Sequence, residues 1–242
     1  MTVLRELHGA ADPALPLDWS PKVVHGGRAG LFAALSAAMT ALASGKVRMA
    51  LAGGLDSSCD TASLRHLAAE KRVLGKENPD GLVPGEGAGF LLLAHKDAVS
   101  GLGPPLGRLV ACATARDDRP FRDRRPLEAT ALTSVFRQLR QAGAARPRPQ
   151  HLFSCQTGEG FWSRELSTAY LRNAELMPEP FRVTLVAASL GDAGAASPAI
   201  QIAMALHAFV PRRRTAPPLT RALVYGSADN GLTGACAVES AR

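Results

Sequence analysis

The sequence predicts an α/β protein with a largely buried sheet, and three observations lead to this class. Segments of strand and helix character alternate along the 242 residues. The turns that follow the strands are rich in glycine, which allows close helix–sheet contacts. Hydrophobic residues make up 46% of the chain and charged residues 20%, which is enough apolar surface for a sizeable core.

The first half of the chain contains three predicted strands and two predicted helices. "KVVHGG" is typical of a short strand ending in a glycine turn, and the helical spacing of Leu31, Leu35, Met39 and Leu42 predicts a helix over Arg28–Gly45. "VRMALAGGLD" predicts a buried strand that ends in a Gly-Gly turn, and "TASLRHLAAEKRVL" a helix. A glycine-rich turn then leads into "AGFLLLAHKDAVSG", which predicts a second buried strand.

The Gly/Pro-rich segment "SGLGPPLG", residues 100–107, divides the chain into a half over 1–99 and a half over 108–242. The second half begins with the strand "RLVACATAR" and the helix "PLEATALTSVFRQLRQAG". "HLFSCQTGEG" predicts a strand and a glycine turn, and "ELSTAYLRN" a helix. A strand, a glycine turn and a long apolar helix follow, and two strands around an Asp-Asn-Gly turn end the chain.

The net charge of +7 comes mainly from clustered arginines, and it indicates either a solvated basic surface or an acidic protein partner. Aromatic residues do not interleave with the arginines and no nucleic-acid motif is present. The four cysteines form no C-x-x-C pair, so the sequence predicts neither a metal site nor a cofactor motif. The N-terminus lacks a signal-peptide pattern and no apolar run is long enough to span a membrane, which predicts a cytoplasmic protein.

Four segments, taken in order, resemble the β-ketoacyl synthases of the thiolase superfamily: "ALASGKVRMALAGGLDS", "PDGLVPGEGAGFLLLA", "SLGDAGAASPAIQIAMAL" and "ALVYGSADNGLTGACAVE". The second segment is the most specific match. The resemblance implies a thiolase-like αβαβα fold and a role in fatty acid or polyketide biosynthesis. Only 27 residues precede the position of the family's nucleophile, so we expect the N-terminal half of that fold to be incomplete.

The family's catalytic residues are replaced in this sequence. A ketosynthase needs a cysteine thiolate at the N-terminus of a buried helix, where the helix dipole lowers the thiol pKa. Arg28 stands at that position, and arginine cannot act as a nucleophile. The resemblance places the first histidine at Gln156, with a register uncertain by about one residue, and the second at Asp192. Ala187 stands near the position of the family's lysine.

The glycine-rich loop around Glu86 has a predicted structural role. The resemblance places it near the floor of the active site, where Gly85 and Gly87 let backbones approach closely. We expect Glu86 to be a buried acceptor for backbone N–H groups and basic side chains. A salt bridge from Arg28 to Glu86 or Asp192 is one expectation for Arg28, and an anion site at the helix N-terminus is the other.

Three hypotheses for function stay open at this point. The chain is a non-catalytic partner of an active ketosynthase, as chain-length-factor subunits are, and it meets an acyl carrier protein or its phosphopantetheine-linked acyl chain. Alternatively it is a divergent acyltransferase or condensing enzyme that uses Cys155 as nucleophile or Asp192 as acid or base. A helix N-cap is the competing structural role for Asp192. The third hypothesis is a copy without function. A dimer with a ketosynthase subunit or with itself is expected through "KVVHGG" and the apolar surface left by the short N-terminus.

Overall fold

The computed structural model describes residues 22–98, 103–118, 121, 126–210 and 218–241. Residues 1–21, part of the predicted joint and parts of the arginine-rich runs lie outside this set. The helices and strands that the text refers to are, in chain order, α1 (Gly30–Ala43), β1 (Met49–Ser57), α2 (Thr61–Ala69), β2 (Glu86–Ala94), β3 (Arg108–Arg116), α3 (Thr130–Gln141), β4 (His151–Ser154), α4 (Gly160–Arg172), β5 (Val183–Leu185), α5 (Ala187–Leu190), α6 (Ser197–Ala208), β6 (Arg221–Ser227) and β7 (Leu232–Glu239).

The strands form two sheets that differ in size. β1 and β2 pair antiparallel, and a five-stranded mixed sheet has the order β3-β7-β6-β4-β5. β4 runs parallel to β5 and β6, whereas β3, β7 and β6 pair antiparallel with one another. The predicted final hairpin around the Asp-Asn-Gly turn is present as β6 and β7.

A central layer of two helices lies between the sheets. Both α1 and α6 contact the β1–β2 sheet on one side and the five-stranded sheet on the other. Their apolar side chains, such as Leu35 and Ile202, join one core cluster with residues of both sheets. Helices α3 and α4 cover the outer face of the five-stranded sheet and form a second cluster around Phe136 and Leu139. The predicted burial of the helix over Arg28–Gly45 between sheets therefore holds for the buried face of α1.

The two predictions of fully buried strands in the first half are wrong. Side chains on one face of β1 and β2 pack inward, and those on the other face are exposed. β1 does not stop at a Gly-Gly turn but continues through Gly53 and Gly54 to Ser57. These glycines are needed inside the strand because the Phe90 ring lies across Gly53, and a Cβ on Gly54 would overlap the Ala195 carbonyl oxygen.

"KVVHGG" is also not a strand, since residues 22–26 adopt no regular secondary structure. Within the described residues this segment has no strand beside it with which to form a hydrogen-bond ladder. Val23 and Val24 are exposed, and the segment leads into a tight 3-10 turn over Gly27–Ala29 that starts α1. A Cβ on Gly26 would stand 2.6 Å from the Gly30 Cα atom, which explains the glycine at this bend.

None of the helices in the described residues has both the length and the apolar character needed to cross a lipid bilayer. The described part also contains no group of three or more His, Cys, Asp or Glu side chains arranged to hold a metal ion.

Candidate functional site

The Arg28 side chain lies at the centre of a buried ion-pair network at the start of α1. Each of its three nitrogens donates one hydrogen bond: Nε donates to the Ser227 carbonyl oxygen at 3.0 Å, and the two terminal nitrogens donate to Asp192 at 2.7 Å and to Asp229 at 2.6 Å. The guanidinium also lies over the Trp162 ring, 4.8 Å from its centroid. A buried guanidinium that is hydrogen-bonded at all three nitrogens is geometrically fixed.

The network continues from Asp229 to a second arginine. Arg72 donates to Asp229 and makes a two-pronged contact with Glu159, with both hydrogen bonds at 2.8 Å. Glu159 is almost fully buried and also accepts hydrogen bonds from the Thr157 hydroxyl and the Trp162 indole N–H. Charges of opposite sign therefore alternate along Asp192, Arg28, Asp229, Arg72 and Glu159, and each carboxylate is paired.

These contacts hold the two central arginines in their charged form. Burial alone would lower the pKa of Arg28, but the carboxylates of Asp192 and Asp229 outweigh it and raise that pKa. Burial would likewise raise the pKa of Asp229, but Arg28 and Arg72 outweigh it and hold that pKa below its ordinary value. The ion pairs of Asp229 with Arg28 and Arg72 therefore stay intact at neutral pH.

The network also joins distant parts of the chain. Its arginines belong to the segment before the predicted joint, and its carboxylates come from the segment after it. Asp192 is positioned by the glycine-rich loop, because the Asp192 N–H donates to the Val83 carbonyl oxygen at 2.7 Å. A Cβ on Gly85 would overlap the Leu190 carbonyl oxygen, so this loop needs glycine to approach the Asp192 loop.

Asp192 forms the ion pair that the sequence left open, but it is not a helix N-cap, since Ala193 and Ala196 stand at the N-cap positions of the 3-10 turn and of α6. One carboxylate oxygen accepts from Arg28, and the other accepts from the Gly194 N–H at 3.1 Å, at the start of the 3-10 turn that leads into α6. The ion pair between Arg28 and Asp192 is therefore present. The hydrogen bonds to Ser227, Asp192 and Asp229 explain the position of Arg28 without a bound anion.

The prediction that Glu86 is a buried acceptor is wrong. Glu86 lies on the exposed face of β2, and its carboxylate accepts a hydrogen bond from the Ser57 hydroxyl at 3.0 Å. It contacts neither Arg28 nor Asp192. The alternation of side chains along a strand explains why Glu86 is exposed. Gly85 and Gly87 face the Asp192 loop and α6, so the side chain of Glu86 between them points outward.

Gln156 and Cys155 lie on opposite sides of the five-stranded sheet. The Gln156 amide oxygen accepts from the Tyr225 hydroxyl at 2.8 Å, and its nitrogen donates to Ser163, both on the side that α4 covers. Cys155 lies on the side of Arg28 and Asp192, whose charges both act on its thiol.

The environment of Cys155 does not suit a nucleophile. Its side chain is buried, and burial raises the pKa of its thiol far above the ordinary value, with Arg28 opposing this effect and Asp192 adding to it. His151, the base considered on the same strand, interacts instead with the Thr184 hydroxyl at 2.8 Å. The other cysteines are also free: Cys59 is exposed, while burial raises the pKa values of Cys112, to about 11, and of Cys236.

Sequence reasoning missed four members of the site: Arg72, Glu159, Trp162 and Asp229. Glu159 and Asp229 stand in sequences typical of turns, and Arg72 follows a helix that ends earlier than predicted, at Ala69. A charged residue in a turn is usually solvated, so no local pattern indicated that these side chains are brought together.

Two central helices lie between the sheets, and a buried site lies at the start of one of these helices. This layered α/β arrangement defines the thiolase-like class. Residues 28–98 match the model of the beta-ketoacyl synthase N-terminal domain. A search of curated protein sequences finds no significant match.

Solved ketosynthases share the fold. A ketosynthase from module 6 of the bacillaene synthase of Bacillus subtilis 168 is 17% identical, with a TM-score of 0.70 over 88% of this chain and 46% of that one. A type II polyketide-synthase ketosynthase, solved in complex with its acyl-carrier protein, is 18% identical, with a TM-score of 0.78 over 99% and 66%. The ishigamide ketosynthase/chain length factor is 19% identical, with a TM-score of 0.74 over 89% and 59%.

The resemblance drawn from the sequence is therefore confirmed, and the chain has a thiolase-like fold of the ketosynthase type. It spans about half to two thirds of the length of these solved chains.

Proposed function

We propose that this chain is a non-catalytic ketosynthase homologue that acts as the partner subunit of an active ketosynthase in fatty acid or polyketide biosynthesis, in the manner of a chain length factor. The observation that carries the proposal is the state of Arg28. It stands at the start of the central helix, where the resemblance places the family's nucleophile, and each of its three nitrogens donates a hydrogen bond to a protein acceptor.

The surrounding residues support the absence of ketosynthase chemistry. The second histidine position is Asp192, an anion bound to Arg28, which cannot donate a hydrogen bond to a thioester carbonyl. The resemblance places the first histidine at Gln156, to within about one residue, and Cys155 precedes it. A buried thiol with a raised pKa provides neither a proton nor a positive charge there.

The proposed partners follow from charge and from exposed surface. A net charge of +7 would attract an acidic acyl carrier protein or its phosphopantetheine group, and one solved relative is a complex of this kind. Val23 and Val24 are exposed in the segment before Arg28, and we propose this segment as part of the contact with the ketosynthase. Since the four cysteines are free, we place the complex in the cytoplasm.

Co-expression with the ketosynthase and carrier protein from the same gene cluster tests this proposal. We expect the chain to co-purify with the ketosynthase, and the pair to make products whose chain length differs from those of the ketosynthase alone. Val24→Lys should weaken co-purification, whereas Leu171→Lys, an exposed leucine of α4, should not. A ketosynthase with unchanged binding partners and products would contradict the proposal.

A further inference from the structure

Two cysteines stand directly opposite each other in the five-stranded sheet. The register of β3 against β7 pairs Cys112 with Cys236. Side chains of directly opposed residues lie on the same face of a sheet, and here both thiols join the core cluster that α1 forms with this sheet. Both cysteines are free, so neither sulfur atom is already bonded to another residue.

The hydrogen bonds between β3 and β7 show which kind of pair the two cysteines form. Just beyond the paired strands, the Asp117 N–H donates to the Gly231 carbonyl oxygen at 2.9 Å. Hydrogen-bonded and non-hydrogen-bonded pairs alternate along antiparallel strands, and an odd number of residue steps separates Asp117 from Cys112. Cys112 and Cys236 are therefore a non-hydrogen-bonded pair, in which the opposed side chains come closest.

The pairing of β7 with its other neighbour, β6, leads to the same result. The Ala228 N–H donates to the Leu232 carbonyl oxygen at 2.8 Å, and an even number of steps from there leads to the pair Val224–Cys236. The backbone N–H and C=O groups of Cys236 consequently point toward β6 and away from Cys112.

A non-hydrogen-bonded pair has the spacing that a disulfide requires. Its Cα atoms lie about 4.5 Å apart, and disulfides join residues whose Cα atoms are roughly 4.4–6.8 Å apart. A bond between Cys112 and Cys236 can therefore form without separating the strands. Because the spacing is at the short end of the range, such a bond is strained and readily reduced, which makes it reversible.

The third buried cysteine, Cys155, is near Cys236 but is not a competing partner. Burial raises the pKa of the Cys236 thiol, and the neighbouring thiols of Cys112 and Cys155 raise it further. Cys155 follows β4, however, and β6 lies between β4 and β7. Two strand spacings amount to about 9.6 Å, which exceeds the limit of about 7 Å for a disulfide.

We propose that Cys112 and Cys236 form a reversible disulfide in oxidising conditions, with a low-molecular-weight disulfide such as oxidised glutathione as the oxidant. The Cys112 thiolate, which is the less buried of the two, attacks one sulfur of the oxidant and expels a thiolate. The Cys236 thiolate then attacks the Cys112 sulfur of this mixed disulfide and expels the second thiolate. The two protein thiols are oxidised, and the oxidant is reduced to two thiols that take up the two protons.

Oxidation changes how the edge strand β3 is held. In the reduced protein the Cys112 thiol donates to the Phe32 carbonyl oxygen at 3.2 Å, which links β3 to α1 one helical turn after Arg28. The disulfide has no thiol proton, so this hydrogen bond is lost and β3 is linked covalently to β7 instead. The bond forms whether or not the chain is the partner of a ketosynthase.

Disulfide mapping of the full chain tests the proposal. The protein carries Cys59→Ser, which removes an exposed thiol, and is equilibrated in glutathione buffers from reducing to oxidising, then denatured and alkylated. We expect Cys112 and Cys236 to lose alkylation together and to appear in one cross-linked peptide pair. The same bond should form in a Cys155→Ala variant. Alkylation of both thiols in every buffer, or a bond from Cys236 to Cys155, would overturn the proposal.

Thermal unfolding of the two redox forms provides a second test. The bond closes a long loop and restricts the unfolded chain, so the oxidised protein should melt several degrees higher than the reduced protein. Cys112→Ser is the matched control, and its melting temperature should be the same in both buffers. An oxidised protein that melts lower than the reduced one would show that the folded sheet does not accommodate the bond, and would overturn the proposal.

Discussion

At the scale of single residues, the start of α1 is held by a network of charged side chains. The turn before α1, the glycine-rich loop and the Asp192 loop keep the close approaches that the family pattern implies. Into this frame the sequence places Arg28, which pairs with Asp192 and Asp229. Removing one partner of a buried ion pair leaves an uncompensated charge, so the network stabilises the fold only as a complete set.

Arg28→Met should therefore be strongly destabilising. It leaves Asp192 buried without its cation, and we expect the free energy of unfolding to fall by about 3–5 kcal/mol. Adding Asp192→Asn to this variant should recover part of the loss, because the second change removes that buried charge. Urea unfolding measures both effects, with Arg137→Met on the exposed face of α3 as the control. Equal stabilities of the Arg28 and Arg137 variants would contradict a structural role for the network.

The buried carboxyl group of Glu165, in α4, should make the stability of the fold depend on pH. One of its carboxyl oxygens has no hydrogen-bond partner, and burial raises its pKa to about 7; Ser227 and Arg28 oppose this shift, and Asp117 adds to it. Folding thus favours the protonated form. The stability that Glu165 contributes is present at low pH and is lost as the pH rises from about 4.5 through about 7.

Glu165→Gln should remove this dependence. Relative to the variant, the wild-type protein should lose about 3 kcal/mol of unfolding free energy between pH 4.5 and pH 8. Comparing wild type and variant at each pH cancels the other titrating groups. Glu175→Gln, at an exposed side chain, should follow the wild-type curve. If Glu165→Gln also follows the wild-type curve, the carboxyl of Glu165 is ionised in the folded protein.

At the scale of elements, the sequence predicted the helices and strands of the second half best. β3, β4, β6 and β7 and the helices between them fall where hydrophobic periodicity and glycine turns place them. The elements of the first half were harder to predict, because a pair of glycines occurs both in turns and inside strands. Gly53 and Gly54 are typical of a turn, but they lie within β1, since only residues without a side chain fit between Phe90 and Ala195.

Gly54→Ala tests this explanation of the strand. The added methyl group would overlap the Ala195 carbonyl oxygen, so we expect a loss of about 1–3 kcal/mol in unfolding free energy. Gly75→Ala is the matched control, because a Cβ at Gly75 meets no atom within 4 Å and its backbone needs no positive φ. Thermal or urea unfolding of the two variants measures the difference. A tolerated Gly54→Ala would show that the Asp192 loop packs less closely on β1.

At the scale of the whole molecule, the family resemblance predicted the layer order, and the contacts of the site could not be predicted. Alternating strands and helices, together with the glycine-rich loop motif, led to the thiolase-like fold that the solved ketosynthases share. The ion-pair network joins residues as much as 201 positions apart, and no local pattern carries that information. Arg28 and Asp192 were found only because the family pattern marks their positions. The division of the chain into halves at 100–107 stays a prediction.

The central claim is that this chain does not form a covalent acyl-enzyme, because its nucleophile position is an arginine held by carboxylates. Intact-mass spectrometry of the purified protein, after incubation with an acyl-carrier thioester, tests it most directly, with an active ketosynthase as the positive control. We predict an unchanged mass. A stoichiometric acyl adduct located on Cys155 would contradict the claim and would make the chain a condensing enzyme with a relocated nucleophile.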